Sequence, residues 1–199
     1  MDTPPDEIAV LVATSLEARA VRRHARGARV VDAGIALANL RDPKPFGVAI
    51  SCGLAGGLGD DHPTGTVLIP DAACTSQGTW RACDQEWTAR LRDAARRLGY
   101  AFVVAPLLTS DTLVTGNRRG DWARRGFAGV DMETASIAAA RLSAVRVILD
   151  TPRAELSADW LDPARAVLRP RNWRQAIWLA REGPRCADLA ARIVALALG

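Results

Sequence analysis

The chain has 199 residues, a hydrophobic content of 49% and a net charge of +4 at pH 7. This length fits one domain with a substantial core, and the composition is typical of a globular rather than a disordered protein. A positive charge can indicate nucleic-acid binding, but Lys44 is the only lysine and the arginines are spread without one dominant tract. We therefore expect no nucleic-acid partner.

The cysteine pattern and the apolar runs of the chain exclude further classes of protein. The four cysteines have no C-x-x-C spacing and there are only two histidines, so we predict no zinc or other metal site and no cofactor. Ile8–Ala13 is too short for a secretory signal, and no apolar run approaches the roughly 20 residues of a membrane span. We expect a cytoplasmic, reduced protein.

Short apolar runs alternate with helical patterns along the chain. This alternation predicts an α/β fold, one domain over residues 1–199, with a central, mostly parallel twisted sheet flanked by helices. The predicted strands are Ile8–Ala13, Arg29–Asp32, Phe46–Cys52, Thr66–Pro70, Tyr100–Leu108, Gly129–Asp131 and Val145–Asp150. The predicted helices are Leu16–Ala25 (N-cap Ser15), Gly34–Leu40, Asp84–Leu98, Arg118–Arg125, Met132–Leu142, and several after Asp159 broken by Pro163, Pro170 and Pro184. Between them lie a glycine-rich loop, Gly53–Pro63, and an extended segment, Asp111–Gly116.

Val130–Ala138 (VDMETASIA) is the most informative segment, because it places an acidic pair where an apolar strand gives way to an Ala-rich helical pattern. A carboxylate held at such a junction can accept two hydrogen bonds from one ligand, such as a vicinal diol. The alternative to a ligand-binding role is that Glu133 only stabilises the N-terminus of a helix, where acidic residues are favoured.

Four further segments place polar or glycine residues at the ends of predicted strands, where ligands bind in open α/β sheets. They are Ala13–Glu17 (ATSLE), Ser51–Leu58 (SCGLAGGL) with Gly65–Pro70 (GTVLIP), Thr109–Gly116 (TSDTLVTG) and Val145–Asp150 (VRVILD). Together with Val130–Ala138 they resemble, in this order, the motifs of the purine nucleoside phosphorylase / methylthioadenosine–adenosylhomocysteine nucleosidase superfamily. The resemblance covers most of Ile8–Asp150, although the chain is shorter than usual between Glu17 and Cys52.

The resemblance implies cleavage of a purine N-glycosidic bond and a role for each matching residue. Glu133 would hold the ribose 2′- and 3′-hydroxyls, Glu17 the attacking water, and Asp150 would protonate purine N7. The other residues expected to bind substrate are Asp131, Met132, Leu54, Ala55, Gly56, Leu113 and Val114. Leu113 stands where relatives carry an aromatic residue, and Leu149 where they carry serine.

The chemistry explains why three carboxylates are needed together. Cleavage passes through a ribosyl oxocarbenium ion, and the leaving purine is poor until N7 is protonated. We expect Glu17, Glu133 and Asp150 to converge on one pocket, with Ile148 and Leu149 desolvating Asp150.

Hydrolysis is favoured over phosphorolysis. Glu17 occupies a place where phosphorylases carry a phosphate-binding arginine, Ser51 or Val48 occupies the place of a second one, and Leu54 replaces a hydroxyl residue. A carboxylate repels phosphate. Phosphorolysis stays open because Arg19, Arg22 or Arg146 could reach the site. A catalytically decayed nucleoside-binding module is the non-enzymatic alternative.

The C-terminal part, with Trp160, Trp173 and Trp178, most resembles the hopanoid-associated branch of the superfamily, whose members are linked to removal of adenine from adenosylhopane. That resemblance implies a lipid-tailed purine nucleoside. Residues Arg165–Arg181 interleave arginine with aliphatic and Trp residues, a pattern that fits a peripheral contact with the inner membrane. The alternatives are packing on the sheet or a contact within a homo-oligomer, which we also expect.

Overall fold

A computed structural model of the chain describes residues 7–40, 45–161, 166 and 168–199. Within these residues, ten strands form one mixed sheet. The strands are β1 (Ile8–Val12), β2 (Arg29–Asp32), β3 (Phe46–Gly57), β4 (Val67–Leu68), β5 (Ala72–Thr75), β6 (Trp80–Ala82), β7 (Phe102–Val103), β8 (Leu107–Thr109), β9 (Gly129–Asp131) and β10 (Ala139–Asp150). The α-helices are α1 (Ser15–His24), α2 (Gln85–Arg97), α3 (Asn117–Ala123) and α4 (Trp173–Leu198).

The centre of the sheet is parallel. β1 pairs in parallel with β2 and β3, and β3 pairs in parallel with β10. Antiparallel pairing joins β10 to β4, β3 to β9 and β5 to β6. The predicted α/β fold is therefore confirmed, and the carboxyl ends of β1, β3 and β10 meet at one edge of the sheet, where loops can assemble a site.

The largest core cluster lies between the central strands and helices α1, α2 and α4. Helix α4 buries small residues there, including Ala187, Ala190 and Ala191. Small side chains let the helix lie close to the sheet, where apolar burial stabilises the fold. Among the described residues, no helix has both the length and the apolar character needed to cross a bilayer.

The predicted helix Met132–Leu142 is wrong. Only Thr134–Ser136 form a 3₁₀ turn, and β10 begins at Ala139. The residues from Ala139 onward pair with β3, starting from the partners Ala139 and Phe46. Alanine favours helix locally, but the ladder of hydrogen bonds with β3 and the burial of Leu142 outweigh that weak preference.

The predicted glycine-rich loop after Cys52 is also wrong in its first part, because β3 continues to Gly57. A Cβ on Gly53 would clash with Glu17 Oε1 and lie 2.7 Å from Arg146 Nη1. Glycine at this position therefore lets two charged side chains lie directly against the strand.

Other boundaries differ more modestly. Thr14, not Ser15, is the N-cap of α1. Strands β5 and β6 were not predicted, and the single strand predicted over Tyr100–Leu108 is divided into β7 and β8. Helix α4 continues through Pro184, since packing of Cys186 and Ala187 offsets the local cost of an interior proline. The predicted break at Pro163 lies outside the described residues.

Candidate active site

A cavity of about 160 Å³ opens where β3, β9 and β10 end. Its walls come from four parts of the chain: the ends of the strands, the segment Thr112–Val114, the start of α3, and the segment after β10. The lining residues are Gly56, Thr112, Leu113, Val114, Arg119, Val130, Asp131, Met132, Asp150, Leu156, Ser157 and Trp160. A mostly apolar concave surface with a few charged groups is a typical small-molecule site.

Asp150 is the last residue of β10 and is buried at the wall of this cavity. Its Oδ2 accepts a hydrogen bond from Arg119 Nη2 at 2.5 Å and another from the Leu156 backbone N–H at 3.1 Å. We predicted that Ile148 and Leu149 would surround this carboxylate with apolar groups. Its hydrogen-bond partners are instead two polar donors, the Arg119 guanidinium and the Leu156 N–H.

A second group of charged residues lies behind the cavity, around Arg146. The Arg146 side chain is fully buried, and its Nη2 lies 2.7 Å from Asp131 Oδ2 and 3.4 Å from Glu133 Oε2. The same nitrogen donates to Ser51 Oγ at 2.7 Å and to Thr134 Oγ1 at 3.0 Å. We call Arg146, Asp131, Glu133 and Glu17 the buried charge cluster. Its one guanidinium is already neutralised by protein carboxylates.

Glu133 is held by donors of the protein. Its Oε1 accepts from the Ala36 backbone N–H at 3.0 Å, and its Oε2 accepts from the Met132 N–H at 3.3 Å and from Arg146. Burial is the largest cause that raises the pKa of Glu133 to about 7; Arg146 opposes the rise, and Asp131 adds to it. The buried position of Glu133 in the fold therefore brings the pKa of its carboxyl group close to neutral pH.

The segment that covers Glu133 has an uncommon backbone. Ala36 and Leu37 have positive φ angles of 53° and 61°. This left-handed region is costly for residues with a Cβ. The Ala36 contact with Glu133 is therefore made by a strained turn.

Glu17 lies in the first turn of α1 and forms a reciprocal capping box with Thr14. Its Oε2 accepts from the backbone N–H groups of Ala13 and Thr14 at 3.0 Å and 2.8 Å. Its Oε1 accepts from the Leu54 N–H at 2.8 Å, which ties the helix to β3. Glu17 therefore has a structural role at the N-terminus of α1, and one of its carboxylate oxygens additionally contacts the central strand.

The residues predicted from the sequence fall into two groups. Those that line the cavity are Gly56, Leu113, Val114, Asp131, Met132 and Asp150. Glu17, Leu54 and Glu133 lie beside Arg146 behind it, and Ala55 packs in a core cluster instead. Asp131 connects the groups, because it lines the cavity and contacts Arg146. We expected Glu17, Glu133 and Asp150 to converge on one pocket. In the structure only Asp150 lines the cavity, and the two glutamates belong to the buried charge cluster.

Among the cavity residues that the sequence did not predict as site residues, Arg119 and Trp160 bring the most distinctive side chains. Arg119 carries no local signal that distinguishes it from the many other arginines. Trp160 was noted only as part of a Trp-rich C-terminal part, yet its ring lines the cavity while its Nε1 donates to Gln175 Oε1 at 2.9 Å. It supplies an aromatic ring to a cavity whose predicted aromatic position holds Leu113.

Comparisons with known proteins agree with this architecture. The family model described as "Phosphorylase superfamily" matches residues 35–149, more than half of the chain. A comparison with curated proteins finds no significant match. Among solved structures, the chain is similar to the 5′-methylthioadenosine/S-adenosylhomocysteine nucleosidase of Helicobacter pylori, with 14% identity, a TM-score of 0.70, and coverage of 96% of this chain and 97% of that one.

Two further structures have the same degree of similarity. The corresponding nucleosidase of Neisseria meningitidis is 18% identical, with a TM-score of 0.70 and coverage of 96% of this chain and 97% of that one. The futalosine hydrolase of Helicobacter pylori is 13% identical, with a TM-score of 0.70 and coverage of 96% of each chain. At these identities the likeness is one of fold.

Proposed function

The chain belongs to the phosphorylase superfamily, and on that premise we propose that it cleaves the N-glycosidic bond of a purine nucleoside by hydrolysis. The observation that carries this proposal is the position of Asp150. It lines the same cavity as Leu113, Val114 and Met132. A proton donor beside an apolar slot is what departure of a purine requires.

In the proposed reaction the base occupies the slot formed by Leu113, Val114 and Trp160, and Asp150 passes its proton to N7. The C1′–N9 bond then breaks as the ribosyl ring becomes cationic. A water oxygen forms the new bond to C1′ while Glu17 Oε1, which orients that water, accepts the proton that it loses. Proton exchange with solvent then returns Glu17 and Asp150 to their starting states. The carboxyl groups of Asp131 and Glu133 present acceptor oxygens on the sugar side of the site, which favours the cationic transition state.

Sugar binding is assigned to Glu133 and Met132. A vicinal diol would replace the Ala36 N–H as donor to Glu133, because each carboxylate oxygen has a limited number of lone pairs. The cavity of about 160 Å³ is smaller than the roughly 300–1,000 Å³ of most ligand sites. Its size supports a base-sized slot that extends toward Glu133 when the strained turn at Ala36 moves.

Charge supports hydrolysis rather than phosphorolysis. Arg146, the buried guanidinium nearest Glu133, contacts Asp131 and Glu133, and Glu17 adds a third carboxylate beside Gly53. A phosphate dianion would face more negative than positive charge there, and like charges at close range are strongly disfavoured. Phosphorolysis and ligand binding without turnover are the alternative outcomes of the test.

The test is to incubate the protein with adenosine, methylthioadenosine, adenosylhomocysteine and a 5′-alkyl adenosine, with and without phosphate, and to separate the products by chromatography. Free adenine and free sugar without phosphate would support the proposal. A sugar 1-phosphate formed only with phosphate would establish phosphorolysis. Tight binding of these nucleosides without adenine release would indicate a binding module.

The finer substrate class is a nucleoside with a large apolar 5′ group, such as adenosylhopane in hopanoid biosynthesis. Its support is the resemblance of the C-terminal part to that branch and the position of Trp160 in the cavity wall. Trp178, by contrast, packs against the main core. The measurement is kcat/KM for adenosines with lengthening 5′-alkyl chains: a tenfold rise, about 1.4 kcal/mol, would support an apolar subsite, whereas a flat or falling series would contradict it.

A peripheral contact with the inner face of a membrane is a second proposal for a cytoplasmic protein. Leu168, Trp173 and Ile177 are 78%, 58% and 66% exposed at and before the start of α4. Arg171 and Arg174 flank them and are exposed. Exposed apolar side chains beside basic ones suit an anionic bilayer surface.

Vesicle flotation tests this second proposal, with Trp173→Ser/Ile177→Ser as the weakened variant. Flotation of the wild type with anionic vesicles, and its loss in the variant, would support a membrane contact. No flotation, together with a dimer in sedimentation that the same variant dissociates, would assign the surface to the expected homo-oligomer.

A further inference from the structure

Arg119 is a buried arginine in the first turn of α3, with 3% of its surface exposed. Its Nη2 donates to Asp150 Oδ2 at 2.5 Å, its Nη1 to the Gly57 carbonyl at 2.9 Å, and its Nε to the Val114 carbonyl at 3.0 Å. The Nε also lies 2.9 Å from Glu155 Oε1. One guanidinium therefore joins the end of β3, the end of β10 and the segment that lines the proposed base slot.

The two oxygens of Asp150 have different surroundings. Oδ2 accepts from Arg119 and from the Leu156 N–H. Oδ1 lies beside Gly56, where an added Cβ would approach it to 3.1 Å, and no donor from the described part of the chain bonds to it. A protonated Asp150 can therefore carry its proton on Oδ1.

We propose that Arg119 is a positioning residue for Asp150, an inference that rests on the proposed function. By occupying Oδ2, Arg119 turns Oδ1 and its proton toward the base. When the proton passes to N7, the Oδ1–H bond breaks and the negative charge stays on Asp150. Arg119 stabilises that charge, since a charge-assisted hydrogen bond is stronger than a neutral one.

Arg119 also fixes the geometry of the cavity through its hydrogen bonds to the Val114 and Gly57 carbonyl groups. Val114 lines the same cavity as Asp150, and Arg119 holds both through one planar group. A planar guanidinium keeps several donors in fixed directions, whereas a lysine ammonium is a point charge on a flexible stem. Arg119 therefore sets the separation between the proton donor and the segment that contacts the base.

The experiment compares Arg119→Met with Arg118→Met, a change of the same type at the exposed neighbouring residue. Arg118→Met should retain the wild-type kcat and KM. In Arg119→Met we expect kcat to fall by about 10²-fold, the effect of a misplaced catalytic group, with little change in KM, because Arg119 positions the proton donor without contacting the substrate.

Two further variants separate this inference from the proposed function. If folded Asp150→Asn retains full activity, the proposed acid is wrong whatever Arg119 does. If Asp150→Asn is inactive but Arg119→Met keeps the wild-type kcat, only the positioning inference fails. Arg119→Lys preserves the charge and covers the case in which Arg119→Met does not fold: it should keep the wild-type KM while kcat falls, and a wild-type kcat in this variant would overturn the inference.

Discussion

The cavity wall and the buried charge cluster use carboxylates in different ways. At the cavity wall, protein donors bond to one oxygen of Asp150, and the other lies beside Gly56. In the cluster, both oxygens of Glu17 and both of Glu133 accept hydrogen bonds from the protein. A carboxylate that accepts from the protein on both oxygens is held in place by the fold, whereas one with an available oxygen can exchange a proton with a ligand without losing a contact. Substitutions in the two regions should therefore divide their effects differently between activity and stability.

The largest expected effect is on activity, at the cavity wall. Asp150→Asn should lower kcat by about 10²–10⁴-fold, the usual contribution of a general acid, because an amide cannot deliver the proton. The amide oxygen can still accept from Arg119 and Leu156, so the fold should survive. Steady-state kinetics and circular dichroism measure the two properties. Asp93→Asn, at an exposed position of α2, is the matched control, and a folded, fully active Asp150→Asn protein would remove Asp150 from the mechanism.

The buried charge cluster should respond in stability instead. Arg146→Met removes the counter-charge of Asp131 and Glu133, and breaking a buried ion pair in this way costs about 3–5 kcal/mol. The free energy of unfolding in urea gives the loss directly. Arg97→Met, an exposed change on α2, should lie close to wild type. If Arg146→Met were as stable as this control, the cluster would not hold the fold together.

An intermediate effect is expected at Glu133, where the cluster meets the proposed sugar. Glu133→Gln should weaken transition-state binding by roughly 1.5–3 kcal/mol, because an amide accepts hydrogen bonds at one end only. The measurement is discrimination between a nucleoside and its 2′-deoxy analogue, which should be large in wild type and small in the variant. Glu86→Gln, at an exposed site, provides the control. Equal discrimination in all three proteins would mean that Glu133 does not bind the diol.

The smallest effect concerns pH. Burial raises the pKa of Glu133 to about 7 in the folded protein from an ordinary value of 4.5, so between these values the folded state binds more protons than the unfolded state. The stability that this proton contributes is complete below the ordinary value and is lost as the pH rises through about 7. Between about pH 5 and pH 8 the wild type should lose roughly 1–3 kcal/mol more than Glu133→Gln does. Parallel stability curves for the two proteins would contradict this titration.

Much of the candidate site could be predicted because it depends on local order in the chain. Asp150 ends a long apolar run, Asp131 ends β9 and Met132 follows it, so their places at strand ends could be predicted from hydrophobic periodicity. The sequence also allowed Glu133 to stabilise the N-terminus of a long helix. The structure shows instead a three-residue 3₁₀ turn, and the Glu133 side chain makes no capping hydrogen bond to it. Periodicity and alanine content could not foresee that turn, because β3 supplies the competing hydrogen bonds.

The sequence by itself determined the α/β class, the order of the strand-end segments and the carboxylates that those segments carry, because each depends on residues adjacent in the chain. Only the tertiary structure decided which groups face the cavity and which are paired with one another. Arg119 reaches Asp150 across 31 positions of sequence, and Arg146 meets Ser51 across 95. Such pairings depend on how strands align and how closely glycines such as Gly53 let side chains approach, and no local pattern in the chain encodes those distances.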